Sequence, residues 1–576
     1  MAYKFVNLSP EQIEARRHAL DRAGWHAWLS PVVLMAAVSV YRRFLSRWAN
    51  STQARTRRKI RWVSWVLGTT TYVPELGPLA VQVFGLAYTA WLVYLVFRGT
   101  GEDYMHLTKA FGHVGVSQMP VQYLMSVKWA NKYNPIEIAT GGLRLSHEKV
   151  NVYHRFFGRV VHAFLAVHAV LYLRFFAKMG WLEKRVRDWD VRFGLLAFWS
   201  VNFLAVLSLP AVRRWAYHRL FWRSHVVLGV AVPVFVYAHV KWTRLYVGQV
   251  AVVWVVNVVM RRWASEVVQV SCEDVQGTSS TTTTTTSGSR SLTSTSASTG
   301  QLIKVILSAK KGGRLAKARP GQHVYVHAPA SGGGGARNPF TIVSVTDAEK
   351  GKGVEVVLVV RRLGGPGTKG LADLARTGKK ADMRVEGPYG DAGDDVDRLV
   401  NVETTSPVLL VAGGVGATYT IPIYMALLNH ASQSGKQPRI VKMVWLVKSV
   451  ADATWGLDVL RQLRGNQIDV DLYVAGDSAL MDPAQGSEMV SRAEGIHGLK
   501  IHILGRRPDI AAVVDEFFTA SNADGYRSIS DEDEVNVFVC GPASLSADLS
   551  KEVGRQVRES ERKVRWTEEV FGFGGS

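Results

Sequence analysis

The sequence predicts a multi-domain protein: an α-helical transmembrane bundle of about seven spans, followed by an antiparallel β-barrel and then an α/β domain. Three observations carry that reading. Hydropathy divides the 576 residues, with 1–262 rich in Trp, Val, Leu and Phe and 300–576 composed like an ordinary soluble protein. Short alternating runs with Gly and Pro turns then continue to about residue 395. From 407, strand-like runs at 408–412, 440–447, 500–504 and 535–540 alternate with helical stretches, the pattern of a parallel sheet with crossover helices.

In the first part, apolar spans at about 24–41, 76–97, 106–127, 152–173, 193–212, 222–240 and 245–260 approach the length that crosses a bilayer, which makes membrane lipid the first partner. The third carries Lys109 and His113, and an apolar run at 62–73 is cut by Pro74 and Glu75, so counts of six and eight stay open. No basic start leads to a small-residue cleavage site, and no removable signal peptide is expected. Loop charge sets orientation, because Lys and Arg in short loops stay on the cytoplasmic side. Arg42, Arg43, Arg47, Arg55, Arg57, Arg58, Lys59 and Arg61 form one such segment, and Arg213, Arg214, Arg219 and Arg223 another. With seven spans the amino terminus lies outside and the soluble half inside, in a multi-pass membrane protein whose membrane, expected to be the plasma membrane, is not legible from the spans. The loop 174–190 dissents, placing Arg174, Lys178, Lys184, Arg185 and Arg187 outside, beside Glu183, Asp188 and Asp190.

The net charge of +22 is thus mostly a topology signal, and with no recognition motif beside it nucleic acid is excluded as a partner. The only cysteines, Cys272 and Cys540, fall in the inferred cytosolic half, where no disulfide is expected.

Two histidine pairs carry the chemistry of the bundle. His154 and His168 are fourteen residues apart, as are His225 and His239. At about 100° per residue that spacing returns a side chain to within roughly 40° of its face, about 21 Å along the axis. Two such helices side by side offer two stacked sites with one imidazole from each helix, and a planar haem fits between paired imidazoles. Intramembrane histidines are costly and functional by default. His162 lies about 80° off the face of His154 and is excluded as a ligand. His218 falls in a basic turn and reads as interfacial. Arg159, a charge within its span, reads as a haem-propionate partner or an inner-mouth electrostatic element.

In the soluble half, the tract QGTSSTTTTTTSGSRSLTSTSASTG at 276–300 holds too little apolar surface to fold, and it lies between strand-like runs at 265–271 and 302–308, in a hairpin loop of the barrel. Gly413, Gly414 and Gly416 follow the apolar strand PVLLV and precede a helical run, where backbone amides can approach a pyrophosphate. The turn Cys540-Gly541-Pro542 ends another strand of that sheet, so Cys540 is either a small core residue or a nicotinamide contact.

The pieces YHRFFGRVVHAFLAVH, SHVVLGVAVPVFVYAH, RPGQHVYVHAP, RNPFTIVS, EGPYG, LLVAGGVGAT and VFVCGP, in that order, resemble the fungal ferric reductases of the NADPH oxidase superfamily. The resemblance implies a cytosolic flavin domain on the barrel and a nicotinamide-binding α/β domain, a ferredoxin-reductase-like pair. It divides the chain into a transmembrane di-haem domain at 1–262, an FAD-binding barrel at 263–395 and an NADPH-binding domain at 396–576. It implies cytosolic NADPH reducing FAD, which passes single electrons over two haem b groups to ferric or cupric chelates outside. His154 and His225 would ligate the inner haem iron, His168 and His239 the outer. FAD would rest on Arg337, Pro339, Phe340 and Thr341, with the Thr341 hydroxyl toward the isoalloxazine; Asn338 stands where the family has histidine. Gly387-Pro388-Tyr389-Gly390 resembles the turn closing the flavin domain. Thr368 matches the flavin-pyrophosphate loop, which here has additional Gly and Pro. Gly541 and Pro542 flank the nicotinamide contact Cys540. Arg506 or Arg507, in a Gly-Arg-Pro turn with one arginine inserted, would meet the 2′-phosphate of NADPH. Phe573 takes the place of the terminal aromatic over the flavin, but Gly574, Gly575 and Ser576 follow it.

The expected enzyme is an NADPH-dependent ferric-chelate reductase serving iron uptake. The alternatives are a superoxide-producing oxidase and a non-catalytic haem or flavin sensor. Oligomeric state is not legible.

Overall fold

The structure, a computed structural model, describes residues 3–45, 54–129, 134–143, 146–275, 301–328, 336–348, 351, 353–363, 365–401, 406–434, 440–463, 468–476, 496–519, 529, 533–560 and 562–569. The chain divides into two compact units, one ending at Trp263 and the next beginning at Ala264.

The first unit is helical: α1 (Pro10–Val40), α2 (Ala54–Thr69), α3 (Leu79–Phe97), α4 (Tyr104–Ser117), α5 (Met119–Leu124), α6 (His147–Lys178), α7 (Trp189–Leu207), α8 (Trp222–His239) and α9 (Arg244–Trp263). Helix α1 starts on a capping box, with the Ser9 hydroxyl accepting from the Gln12 N–H and the Gln12 side chain accepting from the Ser9 N–H, and Pro10 at the first turn. Among the described residues, five segments are long and apolar enough to cross a membrane: Pro10–Phe44, Leu79–Phe97, His147–Lys178, Trp189–Leu207 and Lys241–Trp263. The expected seven are therefore five by that measure. The expected span 106–127 is divided into α4 and α5 at Gln118, just before Pro120, and most of its residues are buried in the bundle. Helix α8 occupies the expected place, but Arg223, His225 and His239 lower its hydropathy.

Two apolar clusters organise the bundle. Leu92, Leu95 and Val96 of α3 meet Val114 of α4 and Phe164 of α6. Ala197 and Val201 of α7 meet Val232 and Val236 of α8 and Val250 of α9.

The second unit opens with a closed antiparallel barrel of β1 (Ser265–Asp274), β2 (Leu302–Lys310), β3 (His323–Ala328), β4 (Ala336–Asp347), β5 (Gly353–Arg361) and β6 (Ala381–Tyr389), ordered β1-β2-β5-β4-β3-β6. β1 and β2 pair up to Asp274 opposite Ile303, so they flank the Thr-rich tract as a hairpin; the tract itself lies outside the described residues. Alternation fills the interior with Val270, Val305, Leu307, Val324, Val356, Leu358 and Val385. Helix α10 (Pro366–Thr377) packs against it.

After α11 (Ala392–Asn401) comes a six-stranded parallel sheet of β7 (Val408–Gly413), β8 (Val441–Val447), β9 (Val470–Val474), β10 (Leu499–Ile503), β11 (Glu534–Cys540) and β12 (Lys563–Glu569), with α12 (Ala417–Ser434), α13 (Thr454–Leu460), α14 (Ile510–Thr519) and α15 (Ala543–Glu559). The order β10-β9-β8-β7-β11-β12 reverses direction between β7 and β11. That switch point is where ligands gather in open α/β sheets.

Candidate redox sites

In the helical unit, α6 and α8 present their histidines to one another at two levels. The His154 and His225 ring centroids lie 6.2 Å apart, and those of His168 and His239 lie 6.4 Å apart. A metal held between two imidazole nitrogens at about 2 Å each would place the centroids about 6 Å apart, so both pairs fit a bis-imidazole iron.

The opposite ring edges are all engaged. Nδ1 of His154 lies 3.0 Å from the Gln122 carbonyl, that of His168 is 2.8 Å from the Thr108 carbonyl, and that of His239 is 2.6 Å from the Asp190 carbonyl. A carbonyl only accepts, so Nδ1 donates its proton in the His168 and His239 rings, which leaves their Nε2 lone pairs for a metal; His154 Nδ1 lies 3.0 Å from both the carbonyl and the side-chain amide nitrogen of Gln122. His225 Nδ1 meets the Ser208 hydroxyl at 3.2 Å. His162 points elsewhere, with Nε2 3.0 Å from Asn202 Oδ1.

Glycines on neighbouring helices make room for these rings. A Cβ at Gly112 of α4 would lie 2.6 Å from His168 Nδ1, and one at Gly194 of α7 would lie 2.7 Å from His239 Cε1. Sequence reading missed them, along with Thr108 and Asp190, which act through carbonyls that leave no side-chain signature. Gln122 left a trace, as a polar residue in an apolar run. Among the described residues, no three His, Cys, Asp or Glu come together as a metal cluster.

In the second unit, the sequence-predicted glycines converge at the switch point. A Cβ on Gly416 would sit 2.1 Å from the Cys540 carbonyl, and one on Gly413 would sit 2.6 Å from the Pro542 ring. A Cβ on Gly541 would sit 3.0 Å from the Gly413 backbone nitrogen. Gly414 takes φ +55°, the left-handed region, and its carbonyl accepts from the indole of fully buried Trp445 at 2.9 Å. The two strand ends thus pack backbone to backbone. The Cys540 thiol is buried and neutral, its pKa pushed far up by burial and then by Glu569 and Glu568, so it is a packing surface and not a thiolate.

Arg506 and Arg507 are both exposed in the turn after β10, and Arg507 reaches the Ser544 hydroxyl on the first turn of α15, 3.1 Å away. This brings one of the two arginines to the switch-point helix.

On the barrel, Arg337, Pro339, Phe340 and Thr341 lie on β4 beside β3, with Tyr325 opposite Pro339 and His323 opposite Thr341. The Arg337 guanidinium is committed to the carboxylate of buried Glu386 and lies over the Tyr325 ring at 4.6 Å, while the Tyr389 hydroxyl donates to the same carboxylate at 2.9 Å. Thr341 is buried. The Thr368 hydroxyl turns back onto its own loop, donating to the Leu363 carbonyl and accepting from the Leu363 N–H at 3.2 Å. It shapes the loop entering α10. A contact absent from the sequence reading joins barrel and sheet: Arg361 Nη2 lies 3.0 Å from Asp452 Oδ1. Phe573 lies outside the described residues.

The chain thus joins a helical unit with two facing imidazole pairs to a barrel and a parallel sheet with a glycine-lined switch point. Residues 111–236 match the family described as ferric reductase like transmembrane component, and 405–554 match the ferric reductase NAD binding domain. Those two stretches are similar to ferric reductases. It is 25% identical to ferric reductase transmembrane component 4 of Saccharomyces cerevisiae over 71% of this chain and 53% of that protein. It is 24% identical to NADPH oxidase 4 of Pongo abelii over 44% of this chain and 43% of that one. The chain spans about half the length of the ferric reductases it matches. Among solved structures, the cytochrome b5 reductase domain of Ulva prolifera nitrate reductase aligns with 53% of this chain and 97% of its own, at 12% identity and a TM-score of 0.33.

Proposed function

We propose that this chain is a transmembrane metalloreductase that passes electrons from cytosolic NADPH, through FAD and two b-type haems, to ferric or cupric chelates on the far side of the plasma membrane. The observation that carries the reading is the pair of imidazole sites, each with two rings at iron-spanning separation and every Nδ1 hydrogen-bonded. When bound, the flavin converts a two-electron hydride donor into single electrons, and bis-imidazole iron relays them one at a time.

The chain's own residues do the rest. His154 with His225, and His168 with His239, hold iron at two depths. Gly413, Gly414 and Gly416 let the backbone approach the pyrophosphate of the nucleotide, and Gly541 and Pro542 shape the opposite wall. Cys540 bounds the nicotinamide pocket as a neutral thiol. Arg507 takes the 2′-phosphate, with Arg506 as the solvent-side cation. Pro339, Phe340 and Thr341 place β4 against the flavin; Arg337 stiffens that strand through Glu386, and Thr368 sets the pyrophosphate loop. The amino terminus lies outside and the second unit in the cytosol, as the basic loops require.

The matched relative NADPH oxidase 4 gives a second reading, superoxide production. Iron held between two imidazoles would transfer single electrons onward without binding the acceptor, which serves a chelate or oxygen alike, so the product distinguishes the two readings. In membranes carrying the chain, NADPH should drive ferric citrate reduction with little superoxide release, and replacing His168 and His239 should abolish it. Full reduction with intact haem in those variants refutes the proposal. Superoxide as the main product selects the oxidase, and bound haem without NADPH turnover selects a sensor.

A further inference from the structure

Glu75 lies in the turn between α2 and α3 and has three arginines around it. Its carboxylate accepts from Arg213 and lies 3.8 Å from both Arg155 Nη1 and Arg159 Nη2. Three guanidiniums around one carboxylate leave two positive charges over. Arg155 directly follows His154 in the chain, and Arg213 is five residues beyond Ser208, whose hydroxyl meets His225. The cluster therefore stands at the mouth of the inner imidazole pair.

The three arginines differ. Arg159 is about half exposed and spends its donors on the Glu75 and Arg155 carbonyls, at 3.3 and 3.2 Å. Arg155 and Arg213 are more buried, and the Nε–H of each is buried without a hydrogen-bond partner. A buried unsatisfied donor on a charged group is costly. Two of them, side by side with two surplus positive charges, fit a group bearing two carboxylates.

We propose that Glu75 is a positioning residue that gathers Arg155 and Arg213 into a preset clamp for the carboxylates of the haem held by His154 and His225, and that its own charge tunes the potential of that haem. This rests on the bis-imidazole reading above. The sequence alone favoured Arg159 for such a contact; the unsatisfied Nε–H groups move the role to Arg155 and Arg213. Removing a negative charge near an iron centre favours its reduced state, so the sign of the shift is determined.

The test is a redox titration of the purified full-length holoprotein in neutral detergent, comparing wild type with Glu75→Gln, Arg155→Gln and Arg213→Gln. The wild type should show two bis-imidazole haems. In Glu75→Gln the potential of one haem should rise while the other stays put and both spectra remain low-spin. In Arg155→Gln and Arg213→Gln the same haem should shift down and be lost more readily to apomyoglobin. Two haems in every variant, with unchanged potentials and unchanged loss rates, overturn the proposal alone. A wild type without haem overturns it together with the reading beneath it. A shift that appears only after adding vesicles of anionic phospholipid assigns the clamp to a lipid headgroup and overturns the haem-carboxylate assignment.

Discussion

Gly194 carries no chemistry of its own, yet His239 depends on it. A methyl there would lie 2.7 Å from Cε1 and 2.8 Å from Nδ1 of the ring, which has no slack because Nδ1 is tied to the Asp190 carbonyl. Gly194→Ala should therefore lose one of the two haems, read by a pyridine haemochromogen assay, while His162→Ala should keep both, since that ring bonds Asn202 and faces neither site. The four histidines were legible because equal spacing on apolar helices is a periodic signal. Their glycine neighbours were not, because a helix-interior glycine looks the same whether it faces lipid or a ring. The two thiols behave alike at this scale. Burial pushes Cys272 up to about 12, with Asp274 and Glu273 adding to it, and pushes Cys540 higher still. Alkylation requires the thiolate, so iodoacetamide at pH 9 should leave both cysteines unmodified in the native protein and label both in denaturant. Stability should fall as pH rises above about 8.5, where the unfolded chain loses thiol protons that the folded chain keeps.

Among elements, the parallel sheet holds a charged knot where β8, β9, β10 and α14 meet. Lys442 Nζ lies 2.9 Å from Asp471 Oδ2 and also bonds Glu516, while His502 Nε2 lies 2.9 Å from Asp471 Oδ1. Burial alone would raise the Asp471 carboxyl, but hydrogen bonds from Lys442 and His502 overcome it and hold the pKa below its ordinary value. The stability this contributes is present above the ordinary carboxylate range and lost as pH falls through the depressed value. Asp471→Asn leaves the buried ammonium with only Glu516, a loss on the order of 3 kcal/mol, which a thermal melt of the full chain should report as a lower unfolding temperature at pH 7 and a smaller difference from wild type in acid. Nothing in the alternation of β8 marks Lys442 as buried, because a lysine in a strand reads as solvent-facing until its partner strands are known. The same limit explains the divided span at 106–127. Its apolar content was visible, but a break at Gln118 with Pro120 following depends on local backbone geometry more than on hydropathy.

For the whole molecule, charge and hydropathy divide the chain in the same place, since basic Arg261 and Arg262 end α9 and Ser265 begins the barrel. A protease site or tag at the carboxyl terminus should be reached only after permeabilising intact cells, and one at the amino terminus without permeabilisation; the reverse would invert the electron path. The order of parts and the equal spacing of the four histidines follow from composition and periodicity, because those depend only on which residues recur along the chain. Pairing across helices, the closeness of Gly416 to Cys540, the clamp around Glu75 and the commitment of Arg337 and Thr368 to their own scaffold depend on distances between residues far apart in sequence. A one-dimensional pattern carries no such distances, so packing decided them.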